Sequence, residues 1–333
     1  MKQIGLIGLG AGTASALLFV STARGTAWAL ALANLAQLPI MIAAIGWTHH
    51  AAIVAVLFAS AGLALVFGGT VGITFLVVIG LPAWCIGYLA LLARPVPGAD
   101  PASIETSIEW YPVGRIVVWT AIIAAAVALV SMLRHGFDIA AVQAGQRREL
   151  EHVLRFLVGL AADAPLQSPG VRDLDRLLDV LVLIAPPMKA IGLTLTSLLN
   201  LWLAAVIAHI SGRLKRPWPA IAQMTFPPFT PTLLAIAVAG TFLPDIVSLA
   251  GSVLTASLLL AYALLGFAVM HAITTGIGGR RFMLTGLYLT VGLFGWPIVL
   301  MALVGLIESV LGLRARHAAR RPPPLPPGPR NPL

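Results

Sequence analysis

Long uncharged apolar runs recur along this chain from Ile4 to Leu313, and they constrain the fold more than any other feature. Apolar residues make up 59% of the sequence and charged residues only 10%, with a mean hydropathy of +0.96. In water such a surface would aggregate, so a bilayer is the solvent for most of the chain. A crossing of the hydrocarbon core needs about 20 apolar residues. Runs that approach or exceed that length fall at about 4–21, 27–46, 51–68, 71–93, 114–133, 178–210, 231–249, 250–275 and 282–313. The expected fold is therefore all-α, a polytopic bundle of roughly eight to ten membrane helices. Residues 1–313 form one membrane-embedded domain, and 314–333 form a basic, proline-rich tail.

Prolines 39, 82, 186, 187, 244 and 297 fall inside or at the edges of these runs. Each removes a helix hydrogen bond, so neighbouring helices or a cavity must satisfy the freed carbonyl. Lys2, the run Ile4 to Val20 and Ser21-Thr22-Ala23 also resemble a secretory signal with a small-residue cleavage site. The glycines at 5, 8, 10 and 12, with another apolar segment directly after, favour a retained first helix.

Two stretches interrupt the pattern. Residues 94–113 form a short polar loop with Arg94, Asp100, Glu105 and Glu109. Residues 134–177 carry six arginines against six acidic residues, so their charges cancel. Within them Leu150, Val153, Leu154, Leu157 and Leu160 or Ala161 follow helical spacing opposite Arg148, Glu151, His152 and Arg155. That pattern fits an amphipathic helix lying on the membrane surface or against the bundle.

The net charge of +9 excludes little by itself. No basic stripe with interleaved aromatics marks a nucleic-acid surface. The cations sit instead at the ends of apolar runs, as the positive-inside bias requires. Arg213-Leu-Lys215-Arg216, Arg280-Arg281 and the tail from Arg314 to Arg321 all belong on the cytoplasmic side. The last run separates the second cluster from the third. A break at Gly295-Trp296-Pro297 keeps both inside if the run folds back as two short helices. Counting backwards places 134–177 outside, and the 94–113 loop and the N-terminus inside. The tail, Arg321 to Arg330, reads as an extended, solvated polyproline-type end; a ligand for a proline-recognising domain is the alternative.

No strong catalytic or metal motif is present: no phosphate loop, no cysteine pair, no His-Glu-x-x-His and no Gly-x-Ser-x-Gly elbow. The lone Cys85 lies in an apolar run and excludes an intrachain disulfide. Gly8, Gly12 and Ala16 recur every four residues, with Gly5 and Ser15 widening the face. Such a stripe lets a second helix approach closely, either inside this protein or on a separate membrane subunit.

Polar groups within a membrane are costly, and they line cavities or bond across helices. Asn34 and Gln37 lie on one expected face of the second run just before Pro39, and Asn200 lies in the sixth. These three are the candidate contacts for a small polar ligand near the midplane, with interhelical bonding as the alternative. Glu308 lies close enough to the basic tail to pair with it. His49-His50 reads as an interfacial polar pair, Lys189 as a helix start after Pro186-Pro187, and Asp245 as a helix start at an external turn. Trp47, Trp110, Tyr111, Trp218 and Trp296 fall near run ends, as an aromatic belt requires.

Three segments carry a resemblance. They are Gly80-Leu-Pro-Ala-Trp84 with Gly87 to Arg94, Glu109-Trp-Tyr-Pro112-x-Gly-Arg115, and Asn200-Leu-Trp-Leu-Ala204 with Ser211 to Pro219. Together they resemble the YybS-like family of bacterial membrane proteins. That family is distantly similar to the substrate-binding subunits of energy-coupling-factor transporters and to rod-shape membrane proteins of the MreD type. The resemblance implies a bacterial inner-membrane protein with a pocket for a small metabolite. It also puts Gly8, Gly12 and Ala16 in the place of the motif that docks onto a membrane coupling subunit, with energy supplied by separate ATPases. This chain departs from that pattern in having more spans and the 134–177 stretch.

Two functions follow as expectations. A transport-type subunit requires Asn34, Gln37 and Asn200 to converge on one enclosed, partly polar cavity. A scaffold for other membrane or envelope proteins requires a filled bundle with exposed small-residue grooves. An intramembrane enzyme would need clustered acidic, His or Ser/Lys groups at one depth, and no such cluster is visible. The expectation is therefore a non-enzyme without a cofactor, whose partners are the bilayer and other membrane proteins.

Overall fold

The computed structural model describes residues 2–24, 26–96, 108–134, 136, 138–158 and 174–319. The polyproline tail, Asp100, Glu105 and residues 159–173 lie outside these. The described residues are almost wholly helical. Their one sheet is a two-stranded antiparallel ribbon, β1 (Ala93–Pro95) and β2 (Ile108–Trp110), with Ala93 opposite Trp110. Seven helices are long and apolar enough to cross a membrane, which makes the protein an all-α, multi-pass membrane bundle.

The first three crossings show how the chain handles its polar backbone. Helix α1 (Lys2–Val20) is continuous. The second crossing is divided into α2 (Ala27–Asn34) and α3 (Gln37–Gly46) by a turn at Leu35-Ala36. Helix α4 (His49–Phe67) follows, with Thr48 capping its first turn. Gly8 and Gly12 of α1 pack directly on α4. A Cβ at Gly8 would lie 2.8 Å from the Ala51 carbonyl oxygen, and one at Gly12 would lie 2.6 Å from that of Ala55. The matching order of contacts, 8 with 51 and 12 with 55, makes α1 and α4 parallel, as alternate crossings must be.

The fourth crossing runs from Gly69 to Leu91 as α5 (Gly69–Phe75), a π-helical turn (Leu76–Gly80) and α6 (Leu81–Leu91). The Leu81 N–H donates to the Leu76 carbonyl, five residues back. Pro82 supplies the reason: its ring would clash with the carbonyl four residues earlier, and the wider π turn relieves the crowding.

Helix α7 (Val113–Leu133) leads out to the amphipathic α8 (Ile139–Val158). The buried residues Val142 and Gln146 lie on the inner face of α8. Arg147 joins it to the next helix through Asp179 and, at 2.9 Å, through Asp175. That next helix, α9 (Leu174–Ile210), is 37 residues long and runs straight through Pro186 and Pro187. The expected helix start near Lys189 is therefore corrected: the helix begins earlier, where α8 supports its polar first turns. Lys189 lies mid-helix and donates to Ser131 Oγ at 2.6 Å.

The run boundary expected near residue 250 moves to Asp245, which starts the next helix after Pro244 as expected of it. Helix α10 (Thr230–Gly240) is short, and α11 (Asp245–Ile273) is one 29-residue helix. Pro244 cannot continue α10, and Asp245 follows with a φ of 59° in the left-handed region. Gly251 accepts α10 at close range, since a Cβ there would sit 2.6 Å from Gly240 backbone.

The last run breaks as expected at Gly295-Trp296, giving α12 (Arg280–Phe294) and α13 (Pro297–Leu311). Each has 15 residues, about 22 Å at 1.5 Å per residue and short of a full crossing. Helix α13 lies antiparallel on α11, with Gly305 against Tyr262 and Gly266 against Met301. Helix α12 buries no residue and touches α11 through Tyr288, whose ring stacks on Phe267, and through Arg280, which donates to the His271 carbonyl.

After α13 comes a short helix, α14 (Leu313–Ala319), whose second residue is Arg314. Arg314 pairs with Glu308 at 2.7 Å and donates to the carbonyls of Ala222 and Met224 at 2.6 and 2.8 Å. The start of the basic tail is thus fastened beside the segment that follows Arg213-Leu-Lys215-Arg216, at the same end of the bundle.

Two apolar cores result. One joins α1, α3, α4, α5 and α6 through residues such as Ile40, Met41, Phe75 and Ile86. The other joins α7, α10, α11 and α13 around Leu258, Tyr262 and Leu265. Helix α9 stands between them, contributing Ala204 and Ala208 to the first and Ala190 to a smaller cluster with α7 and α11.

Candidate functional site

The polar groups of the membrane interior follow α9. Thr194, Ser197 and Asn200 recur every three residues on its buried side, and all three are at most 3% exposed. Thr194 meets Ser257 of α11 at 2.6 Å, and Ser257 also lies 2.7 Å from the Ala121 carbonyl of α7. These hydroxyls pin α9 to the second core.

Asn200 faces the other way, to the break between α2 and α3. At the break the Leu38 N–H donates to Leu35 instead of continuing the α-helical ladder. The Asn34 carbonyl is thereby freed, and Asn200 Nδ2 donates to it at 2.8 Å and to the Thr196 carbonyl at 2.8 Å. Ser15 of α1 donates to the Ala36 carbonyl at 2.5 Å. Membrane interiors tolerate irregular backbone only where such partners exist or where it lines a cavity. The orientation of the Asn200 amide is fixed by chemistry, since only its nitrogen can donate to two carbonyls.

Of the three predicted contacts, the structure joins the side chain of Asn200 to the backbone of Asn34. The Asn34 side chain is turned outward, is exposed, and bonds to the Leu30 carbonyl at 3.0 Å. Gln37 is turned inward and is 3% exposed. The shared face expected for Asn34 and Gln37 assumed an unbroken helix, and the turn at Leu35-Ala36 separates them. Two acceptor oxygens at this locus, Gln37 Oε1 and Asn200 Oδ1, are buried with no hydrogen-bond donor among the described residues.

Ser15 was the contributor least visible in the sequence. Its position on the glycine face of α1 was the available signal. Gly8 and Gly12 are covered by α4, and Ala16 is half-buried against the first core. The stripe is therefore occupied from within the chain, and a coupling subunit has no access to Gly8 or Gly12.

The remaining polar candidates are paired near helix ends. His49 and His50 lie ring to ring at 3.9 Å, with Tyr88 beside His49. His271 Nε2 is 2.8 Å from Tyr288 Oη, and Glu308 holds Arg314. Among the described residues no three His, Cys, Asp or Glu side chains gather as a metal site. Set against known proteins, the chain matches no family model, no curated protein and no solved structure.

Proposed function

We propose that this multi-pass membrane protein is of transport type and binds a small metabolite carrying hydrogen-bond donors at the α2–α3 break. The observation that supports this is the pair of donor-less acceptors, Gln37 Oε1 and Asn200 Oδ1, buried beside irregular backbone. A buried acceptor without a partner costs about 1–3 kcal/mol. A ligand presenting N–H or O–H groups recovers that energy, whereas a scaffold gains nothing from carrying it. Broken membrane helices beside a midplane site are a recurrent transporter device. The sequence resemblance to the YybS-like family, and through it to vitamin-transporter subunits, points the same way. A bacterial inner-membrane location belongs to the same proposal.

The test is thermal unfolding of the purified protein against small amine, amide and polyol metabolites, with simple carboxylates as the comparison. A ligand at 100 times its Kd adds about 2.7 kcal/mol of stability. Donor-rich compounds are expected to raise the midpoint of the wild type and leave Gln37→Leu unmoved. Equal shifts in both proteins, or none in the wild type, would refute the proposal.

A further inference from the structure

The segment Glu109-Trp-Tyr-Pro112-x-Gly-Arg115 is left unused by the site at the helix break, yet it builds the wall of a cavity. That cavity, about 310 Å³, is lined by Arg94, Glu109, Trp110, Tyr111 and Arg115 with the backbone around Leu92. The ribbon of β1 and β2 sets its floor, and the Tyr111 N–H donates to the Leu92 carbonyl at 2.8 Å. Tyr111 is held by the Trp119 indole N–H at 3.1 Å. Gly114 lets α7 start against the Thr225 carbonyl, where any side chain would collide. These short-range contacts fix the cavity's wall at the start of α7, at the junction of two membrane-crossing helices.

Its charge is unbalanced among the described residues. Arg94 pairs with Glu109 at 2.7 Å, whereas Arg115 meets the Tyr111 ring, 5.7 Å from its centroid, and no described carboxylate. The Arg213-Leu-Lys215-Arg216 cations also lack carboxylate partners among the described residues. Arg213 lies over Trp47, Lys215 donates to the Trp47 carbonyl, and Arg216 donates to that of Ala90. The result is a concave, aromatic-walled site whose Arg115 guanidinium has no carboxylate partner among the described residues, at the end where positive-inside bias places the anionic leaflet.

We propose that this cavity binds the phosphate of an anionic glycerophospholipid, with Arg115 as the charged contact and Trp110 and Tyr111 flanking the headgroup. Guanidinium forks match phosphate oxygens, and indole and phenol rings settle at headgroup depth. A lipid is favoured over a free phosphate because the walls are aromatic and the cavity adjoins apolar helices.

The experiment is native mass spectrometry of the full chain in micelles containing equal phosphatidylglycerol and phosphatidylcholine. The wild type is expected to retain phosphatidylglycerol selectively, and Arg115→Gln to lose about tenfold in retention, the change matching one charge-assisted contact of about 1.4 kcal/mol. Arg115→Lys should restore part of it, and Arg281→Gln on α12 should leave it unchanged. Thermal unfolding of Arg115→Gln checks that the fold survives, as an exposed position predicts. Equal retention of both lipids, retention unaffected by Arg115→Gln, or displacement of the lipid by excess inorganic phosphate would each overturn the proposal.

Discussion

Asn200 Nδ2 donates to the main-chain oxygen of Asn34 at 2.8 Å, and this bond ties the central helix α9 to the break in the second crossing. Interhelical hydrogen bonds in membranes average only about 0.6 kcal/mol, because the unfolded chain in lipid also finds partners. Asn200 does more than add one bond: its removal strands a part-buried carbonyl that the break does not satisfy. Asn200→Leu is therefore expected to cost about 1–3 kcal/mol, read as a lower unfolding midpoint in detergent. An unchanged midpoint would mean that water or another group satisfies Asn34.

The α1–α4 contact gives a prediction with its own control. Gly12→Leu forces a side chain into the Ala55 carbonyl, 2.6 Å from the position of a Cβ. It should destabilise by about 1–3 kcal/mol or more, as overpacking does. Gly10→Leu, two residues away, meets nothing within 4 Å and should be nearly neutral. If the two variants melted alike, α1 would not pack on α4 through the stripe.

Glu308 and Arg314 form an ion pair whose side chains are only 9% and 15% exposed. Breaking a buried pair by removing one partner costs about 3–5 kcal/mol, since the other charge is left uncompensated. Glu308→Ala should therefore destabilise strongly, and Glu308→Gln less, because its amide oxygen still accepts from the guanidinium. Hydrogen exchange should quicken around Ala222 and Met224, whose carbonyls Arg314 also engages. Protection unchanged in that segment would contradict the latch.

Orientation can be read with single cysteines. In a Cys85→Ala background, Arg148→Cys on α8 and Arg213→Cys after α9 should label from opposite sides of sealed vesicles with an impermeant maleimide. Arg213→Cys is expected to react from the cytoplasmic side. Labelling of both from one side would dismantle the alternating crossings.

Much of this architecture was legible in the sequence because bilayer thickness acts as a ruler. The long runs marked the crossings, Gly295-Trp296-Pro297 marked the final break, and Gly8 and Gly12 marked a close helix contact. The failures share a cause. Leu35 and Ala36 are as apolar as their neighbours, so hydropathy could not reveal the turn that aims Gln37 inward and Asn34 outward. The same uniformity hid the π turn before Pro82 and shifted the α10–α11 boundary towards equal lengths. At Pro186-Pro187 the opposite happened: a strong local breaker was overridden because α8 and α7 hold α9 on either side. The candidate site depends on tertiary pairing of Ser15, Asn34 and Asn200, residues far apart in sequence, and pattern alone could nominate only some of them.

Ligand occupancy at the α2–α3 break tests the central claim most directly. It is measured by native mass spectrometry of the protein extracted gently from its own membrane, beside Gln37→Leu and Asn200→Leu. The account predicts a stoichiometric small-molecule adduct on the wild type that both variants lose. A wild type that carries no such adduct, and co-purifies instead with envelope or membrane-organising proteins, would contradict it and favour a scaffold.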